Sequence, residues 1–153
     1  MKLHLVSVIP AARDRVFAAL IDPEILRAVI PGCESLVETA PDEYAATLKI
    51  GVAGMKGTYN GKASVTDKRR PDSLTLNFEG KGAPGFVRGT AAIALSDEGA
   101  GTRIASDVDL VIGGLVAAVG SRLIEATAKK LSEVFFAQLA RELAVPSRPA
   151  ADT

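Results

Sequence analysis

Apolar and polar residues alternate with a period of two over most of the chain up to Ile112, and with a helical period beyond it. Leu3, Leu5 and Ser7 alternate with His4, Val6 and Val8, which predicts a first strand with both faces partly covered. Pro10 then stands where a first helical residue is expected, since its missing N–H costs nothing there. Val16, Phe17 and Leu20 at helical spacing predict a short amphipathic helix ending near Asp22. Asp22-Pro23-Glu24 predicts the start of a second, with Asp22 as N-cap, proline at the first position and an acid in the first turn. That helix carries Ile25, Leu26, Val29 and Ile30 and stops at Pro31-Gly32.

Strands follow, separated by turn residues. Glu34–Thr39 is one, and Ala40-Pro41-Asp42-Glu43 turns the chain. Tyr44, Ala46, Leu48, Ile50 and Val52 form the inward face of the next, and Met55, Tyr59, Ala63 and Val65 that of the one after. Leu74, Leu76 and Phe78 point inward after the turn at Arg70–Ser73. A glycine-rich stretch, Gly80–Gly85, leads to Phe86 and a strand ending in Ile93 and Leu95. Asp97–Gly101 is a hairpin loop, and Ile104, Ser106, Val108, Leu110 and Ile112 line the last strand.

Gly113-Gly114 breaks the alternation. From Leu115 to about Leu143, Val116, Val119, Leu123, Ala126 or Thr127, Leu131, Phe135 and Leu139 form one helical stripe. This predicts a helix of about 29 residues and ~43 Å, enough to cross a sheet. Residues 145–153 have no apolar pattern and read as a disordered tail after a domain spanning 1–144. The order β-α-α-β-β-β-β-β-β-α implies an α+β fold, with an antiparallel sheet of about seven strands, wet on one face and covered by one long helix on the other. Gly51, Gly54, Gly57, Gly61, Gly80, Gly82, Gly85 and Gly89 are where such a sheet can kink and curve. Gly120 lies within the expected helix and implies close approach of a strand or ligand.

Charge and composition narrow the function. The 18 basic and 18 acidic residues cancel, and aromatic residues make up only 5% of the chain. Neither an electrostatic footprint nor a set of stacking rings for nucleic acid is present. The lone Cys33 excludes an internal disulfide. No signal-peptide pattern and no apolar run of about 18 residues occurs, so the expectation is a cytoplasmic protein.

Catalytic groups are sparse. His4, the single histidine, starts the first strand, and a thiolate at Cys33 would have no histidine base beside it. Cys33 is expected to be a small buried packing residue. Asp107 and Asp109 alternate onto the outward face. Zinc spacing, a phosphate loop and a nucleophile elbow are absent, and Gly80-Lys81-Gly82 does not open a helix. Arg88 and Arg122 flank glycine-rich openings and are expected to be solvated, with steering of a partner or lipid headgroup as the other reading.

Four stretches carry a family resemblance: Ile30-Pro31-Gly32-Cys33-Glu34-Ser35-Leu36, Lys56-Gly57-Thr58-Tyr59-Asn60-Gly61, Gly85-Phe86 with Gly89, and Gly113 to Ile124. With the element order, they resemble the carbon monoxide dehydrogenase G-subunit family, within the START/Bet v 1-like (SRPBCC) helix-grip superfamily, over about residues 1–144. The resemblance implies an accessory protein rather than an enzyme. It implies an apolar small molecule held in a cavity, menaquinone or ubiquinone as the carried ligand, and a molybdenum hydroxylase such as carbon monoxide dehydrogenase as partner. Recruitment of that enzyme to the inner face of the membrane, by peripheral contact, is implied as well. The short tail, with two prolines and no apolar anchor, departs from the long extension of many members.

The alternation nominates a lining for such a cavity. Leu26 and Ile30 would close its mouth. Leu48, Ile50, Met55, Tyr59, Leu76, Phe78, Phe86, Leu110 and Ile112 would line the sheet side, and Val116, Val119, Gly120, Leu123 and Thr127 the helix side. Tyr59 offers a hydroxyl for a quinone carbonyl, and Met55 an adaptable wall. The rival reading is an enzyme of the polyketide cyclase or aromatase type, which needs two or more of Asp, Glu, Arg or His meeting in the cavity. A third is an interaction module with a filled core.

Overall fold

The computed structural model describes residues 1–52 and 54–144. The elements run β1 (Lys2–Ile9), α1 (Arg13–Leu20), α2 (Pro23–Val29), β2 (Cys33–Ala40), β3 (Glu43–Val52), β4 (Met55–Arg69), β5 (Ser73–Gly82), β6 (Gly85–Glu98), β7 (Gly101–Gly113), a 3-10 turn (Leu115–Val119) and α3 (Ser121–Ala144). The strands form one seven-stranded sheet in the order β1-β7-β6-β5-β4-β3-β2, each pair antiparallel. β2 to β7 is a meander, and β1 adds to β7, so β1 and β2 are the two edges. The helical pair α1–α2 carries the chain from one edge to the other.

The sheet is curved, and glycine permits the closest strand approaches. A Cβ at Gly89 would sit 2.2 Å from the Asp109 carbonyl oxygen, and one at Gly82 2.5 Å from that of Thr58. Any larger residue would force β6 from β7 and β5 from β4. The predicted faces of β3, β5 and β7 are those observed. Tyr44, Leu74, Ile104 and Leu110 are buried, while Asp107 and Asp109 are exposed on the convex side.

The helices are set by local chemistry. Asp22 caps α2 by accepting from the Glu24 and Ile25 backbone N–H groups, at 2.9 and 3.4 Å. Buried Thr102 donates its hydroxyl to the Ala11 carbonyl at 2.7 Å, tying β7 to the link before α1. Below α1, α2 and the C-terminal half of α3 lies the closed core. It holds Ile9, Val16, Phe17, Val29, Val65, Leu74, Leu95, Ile104, Leu139 and Leu143.

Five expectations change. Pro10 lies in the bend after β1, and α1 begins only at Arg13. The first strand is not covered on both faces, because Val6 and Val8 are exposed on its convex side. The final helix is not continuous. Gly120 separates the 3-10 turn from α3 with φ +94°, leaving a helix of 24 residues, ~36 Å long. Nothing lies within 4 Å of a Cβ built on Gly120, so it serves the left-handed backbone and not a close approach. Phe86 faces outward: Val87 and buried Ala91 and Leu95 hold the concave face of β6. The Phe86 ring instead covers Gly113, under the Arg88 guanidinium at 5.9 Å.

A candidate ligand cavity between sheet and helix

The closed core fills only one end of the space between sheet and helix. Under the N-terminal half of α3 lies a cavity of about 420 Å³. Its roof is Ile124, Thr127, Ala128 and Leu131, one apolar stripe of α3. Its floor is the concave face of the sheet, and Ile30 after α2 borders it.

The space exists because the floor residues are small. In successive cross-strand rows, Ala46 pairs with Gly61, Gly61 with Gly80 and Gly80 with Val87. One row along, Tyr44 pairs with Ala63, Ala63 with Phe78 and Phe78 with Gly89. Larger residues, Leu48, Tyr59, Leu76, Phe78, Leu110 and Ile112, rise around this floor as walls. Lys62 and Glu79 also border the cavity, but the register turns their side chains to the convex face, where both are exposed. Among the described residues, no Asp, Glu, Arg or His borders it apart from Glu79.

Two tyrosines reach this cavity and differ in one respect. Tyr44 donates its hydroxyl to the Ile21 carbonyl at 2.8 Å, fastening the sheet to the α1–α2 junction. Tyr59 is 5% exposed and its hydroxyl has no hydrogen-bond partner among the described residues. It is the buried side-chain oxygen left unpaired among the described residues. Burial pushes the pKa of the Tyr59 hydroxyl up, so it remains a neutral donor near pH 7. An unpaired buried hydroxyl costs roughly 1–3 kcal/mol. Tyr59→Phe is therefore expected to raise the stability of the empty protein by about 1 kcal/mol, and Tyr44→Phe to lower it by a similar amount. Urea unfolding of the ligand-stripped proteins checks the opposite signs; destabilisation by Tyr59→Phe would mean that its hydroxyl is satisfied.

Of the residues nominated for the lining, Ile30, Leu48, Ile50, Tyr59, Leu76, Phe78, Leu110, Ile112 and Thr127 border the cavity. Leu26, Met55, Phe86, Val116, Val119, Gly120 and Leu123 do not. Met55 starts β4, beyond the cavity, and Leu26 does not border the mouth. Val116 is buried in the 3-10 turn, while the break at Gly120 shifts the helical phase and leaves Leu123 46% exposed. The Thr127 hydroxyl is already committed to the Leu123 carbonyl at 2.9 Å. Leu3, Leu5, Leu36, Val87, Val108, Ile124 and Leu131 line the cavity without having been nominated. The alternation places Leu3, Leu5 and Val108 on the right face, so strand parity was the signal for them.

The remaining candidates sit elsewhere. His4 pairs with Asp107 at 2.7 Å on the exposed convex face. Cys33 is half-buried rather than enclosed; its thiol donates to the Ser35 carbonyl at 3.4 Å, and desolvation raises its pKa despite nearby Arg27. That is the opposite of an activated thiolate. Arg122 is exposed in the first turn of α3. No helix among the described residues is long and apolar enough to cross a membrane, and no cluster of metal-ligating side chains occurs among them.

A curved antiparallel sheet gripping a long C-terminal helix above an apolar cavity defines a START-like helix-grip protein. A START superfamily protein from Mycobacterium smegmatis superposes with a TM-score of 0.69 at 12% identity, over 94% of this chain and 97% of that one. A conserved protein from Geobacillus kaustophilus superposes with a TM-score of 0.90 at 34% identity, over 94% of this chain and 95% of that one. The profile of the carbon monoxide dehydrogenase G-subunit family, CoxG, matches residues 7–144. The chain belongs to that family. No curated protein matches it by sequence.

Proposed function

We propose that this protein is a non-catalytic carrier that holds an apolar small molecule, a respiratory quinone, between sheet and α3. In this reading it serves a molybdenum hydroxylase of the carbon monoxide dehydrogenase type, delivering the electron acceptor or helping to bring the enzyme to the membrane. The observation that carries the proposal is the apolar cavity with one buried, unpartnered hydroxyl at Tyr59. An apolar wall with few polar groups is the usual makeup of a small-molecule site. A quinone matches it: an apolar ring and prenyl chain, with carbonyl oxygens that accept a hydrogen bond.

Size supports the same reading. Small-molecule sites run from about 300 to 1,000 Å³, and this one is about 420 Å³. It suits a quinone head with a short stretch of prenyl chain, the rest of a long tail lying outside. Carriage is favoured over the cyclase reading because the bordering Glu79 turns its carboxylate to the convex face, leaving no acid–base pair directed into the cavity among the described residues. Family membership supports the partner class.

Organic extraction of the protein purified from its native host, followed by mass spectrometry, tests the proposal. A quinone at near-stoichiometric amount is the expected result. A protein that carries no apolar molecule, and takes up none from quinone-loaded vesicles, would overturn it.

A further inference from the structure

We propose that the Gly61–Gly80 floor and the Tyr59 hydroxyl form one subsite that selects a flat ring bearing an oxygen acceptor over a flexible chain. The proposal rests on the carrier reading and adds to it the shape and polarity of the group held inside.

The glycines need a reason. Gly61 and Gly80 pair directly across β4 and β5, central strands where glycine weakens the sheet by roughly 0.5–1 kcal/mol per residue relative to alanine. Neither has the left-handed backbone that would demand glycine. Close packing does not demand it either. A Cβ on Gly80 would meet nothing within 4 Å, and one on Gly61 would make only ordinary contacts, 3.4 Å or more, with backbone oxygens. This contrasts with Gly82 and Gly89, where a Cβ would strike a neighbouring strand. What the missing side chains leave at Gly61 and Gly80 is room on the concave face.

That room is broad and flat. Ala46, Gly61 and Gly80 stand side by side on three neighbouring strands, which spans about 10 Å at the usual strand spacing. Ala63 extends the floor along β4. A flat ring laid on such a surface touches peptide planes over its whole face. A single alkyl chain would leave gaps on both sides and lose the dispersion contacts there. The polar element is in the adjoining row: Tyr59 lies two residues before Gly61 on the same face, 5% exposed, with its hydroxyl unpaired. A ring oxygen accepting from that hydroxyl would satisfy it.

Three probes binding to the purified full chain separate the elements: 2,3-dimethyl-1,4-naphthoquinone, 2,3-dimethylnaphthalene and dodecanol. The blocked ring positions prevent addition of the Cys33 thiol. The expected order in wild type is the quinone tightest, about tenfold tighter than the hydrocarbon of the same shape, the value of one hydrogen bond. Tyr59→Phe should abolish that tenfold preference and leave the hydrocarbon unchanged. Gly80→Val should weaken both rings by about tenfold or more while dodecanol changes by less than about threefold. Gly80→Ala, the milder variant, should show the same direction if the valine protein does not fold. Equal losses for rings and chain, or a quinone preference that survives Tyr59→Phe, would overturn the subsite and leave the carrier standing. Failure of wild type to bind any of the three would overturn the carrier reading itself.

Discussion

Phe17→Ala is expected to cost about 3–5 kcal/mol of folding stability, the range for emptying a large aromatic site in a closed core. Phe17 is 1% exposed and is the largest of the fully buried side chains among the described residues. It comes from α1, and the cluster around it draws on β1, α1, α2, the sheet and α3. The Arg70 guanidinium lies over its ring at 5.4 Å, so both the aliphatic packing and a cation–π contact are lost. Domains of this kind are stable by only about 5–15 kcal/mol, so the loss should be plain in urea or thermal unfolding. A second readout makes the prediction sharper. Leu76 is the residue shared between this core and the cavity wall. Below its melting range the variant should bind apolar ligand within about threefold of wild type, since Phe17 does not border the cavity and coupling through the single shared wall residue Leu76 is small. A cost below about 1 kcal/mol would place the main core elsewhere. A matching fall in affinity would show that the two ends of the helix-grip space act as one.

That division into a packed end and an open end explains what was legible in the sequence. Strand parity reports which face a side chain takes, and it did so correctly for Tyr44 to Ile50, for Leu74 to Phe78 and for Ile104 to Ile112. It does not report depth. Leu74 in the closed core and Leu76 on the cavity wall are neighbours in one alternating strand, and nothing in the pattern distinguishes packed from open. Phe86 has the opposite parity to Ile93 and Leu95 in an unbroken β6, so the strand pattern itself puts it on the convex face. The helix side failed at one residue. Reading a continuous helix through Gly120 carried the stripe of α3 back into the 3-10 turn, which put Val116, Val119 and Leu123 on the roof in place of Ile124 and Ala128. The sequence singles out the Tyr59 hydroxyl for a polar contact, but the pattern does not show that it lacks a protein partner. Both tyrosines occupy inward positions, and only three-dimensional placement gives Tyr44 the Ile21 carbonyl and leaves Tyr59 none.

The helix side also yields the prediction with the largest effect on ligand content. Ala128→Phe should reduce the apolar molecule recovered on extraction to below about one-tenth of the wild-type amount, with no loss of folding stability. Ala128 is half-buried on the cavity roof, one helical turn after Ile124 and three residues before Leu131. Side chains on a helix lean toward its N-terminus, so a ring placed there extends over the open end rather than into the packed residues around Leu139. Overpacking usually costs about 1–3 kcal/mol because a filled core must deform. Here the ring enters existing space and gains about 25 cal/mol for each Å² of apolar surface removed from water, so the melting temperature should hold or rise. Substituting the same ring at Leu139, inside the closed core, should lower it. A variant at position 128 that retains wild-type ligand would show that the cargo does not sit between α3 and the Ala46–Gly61–Gly80 floor. Loss of ligand with undiminished stability would show that the space is kept open for occupancy and not for folding.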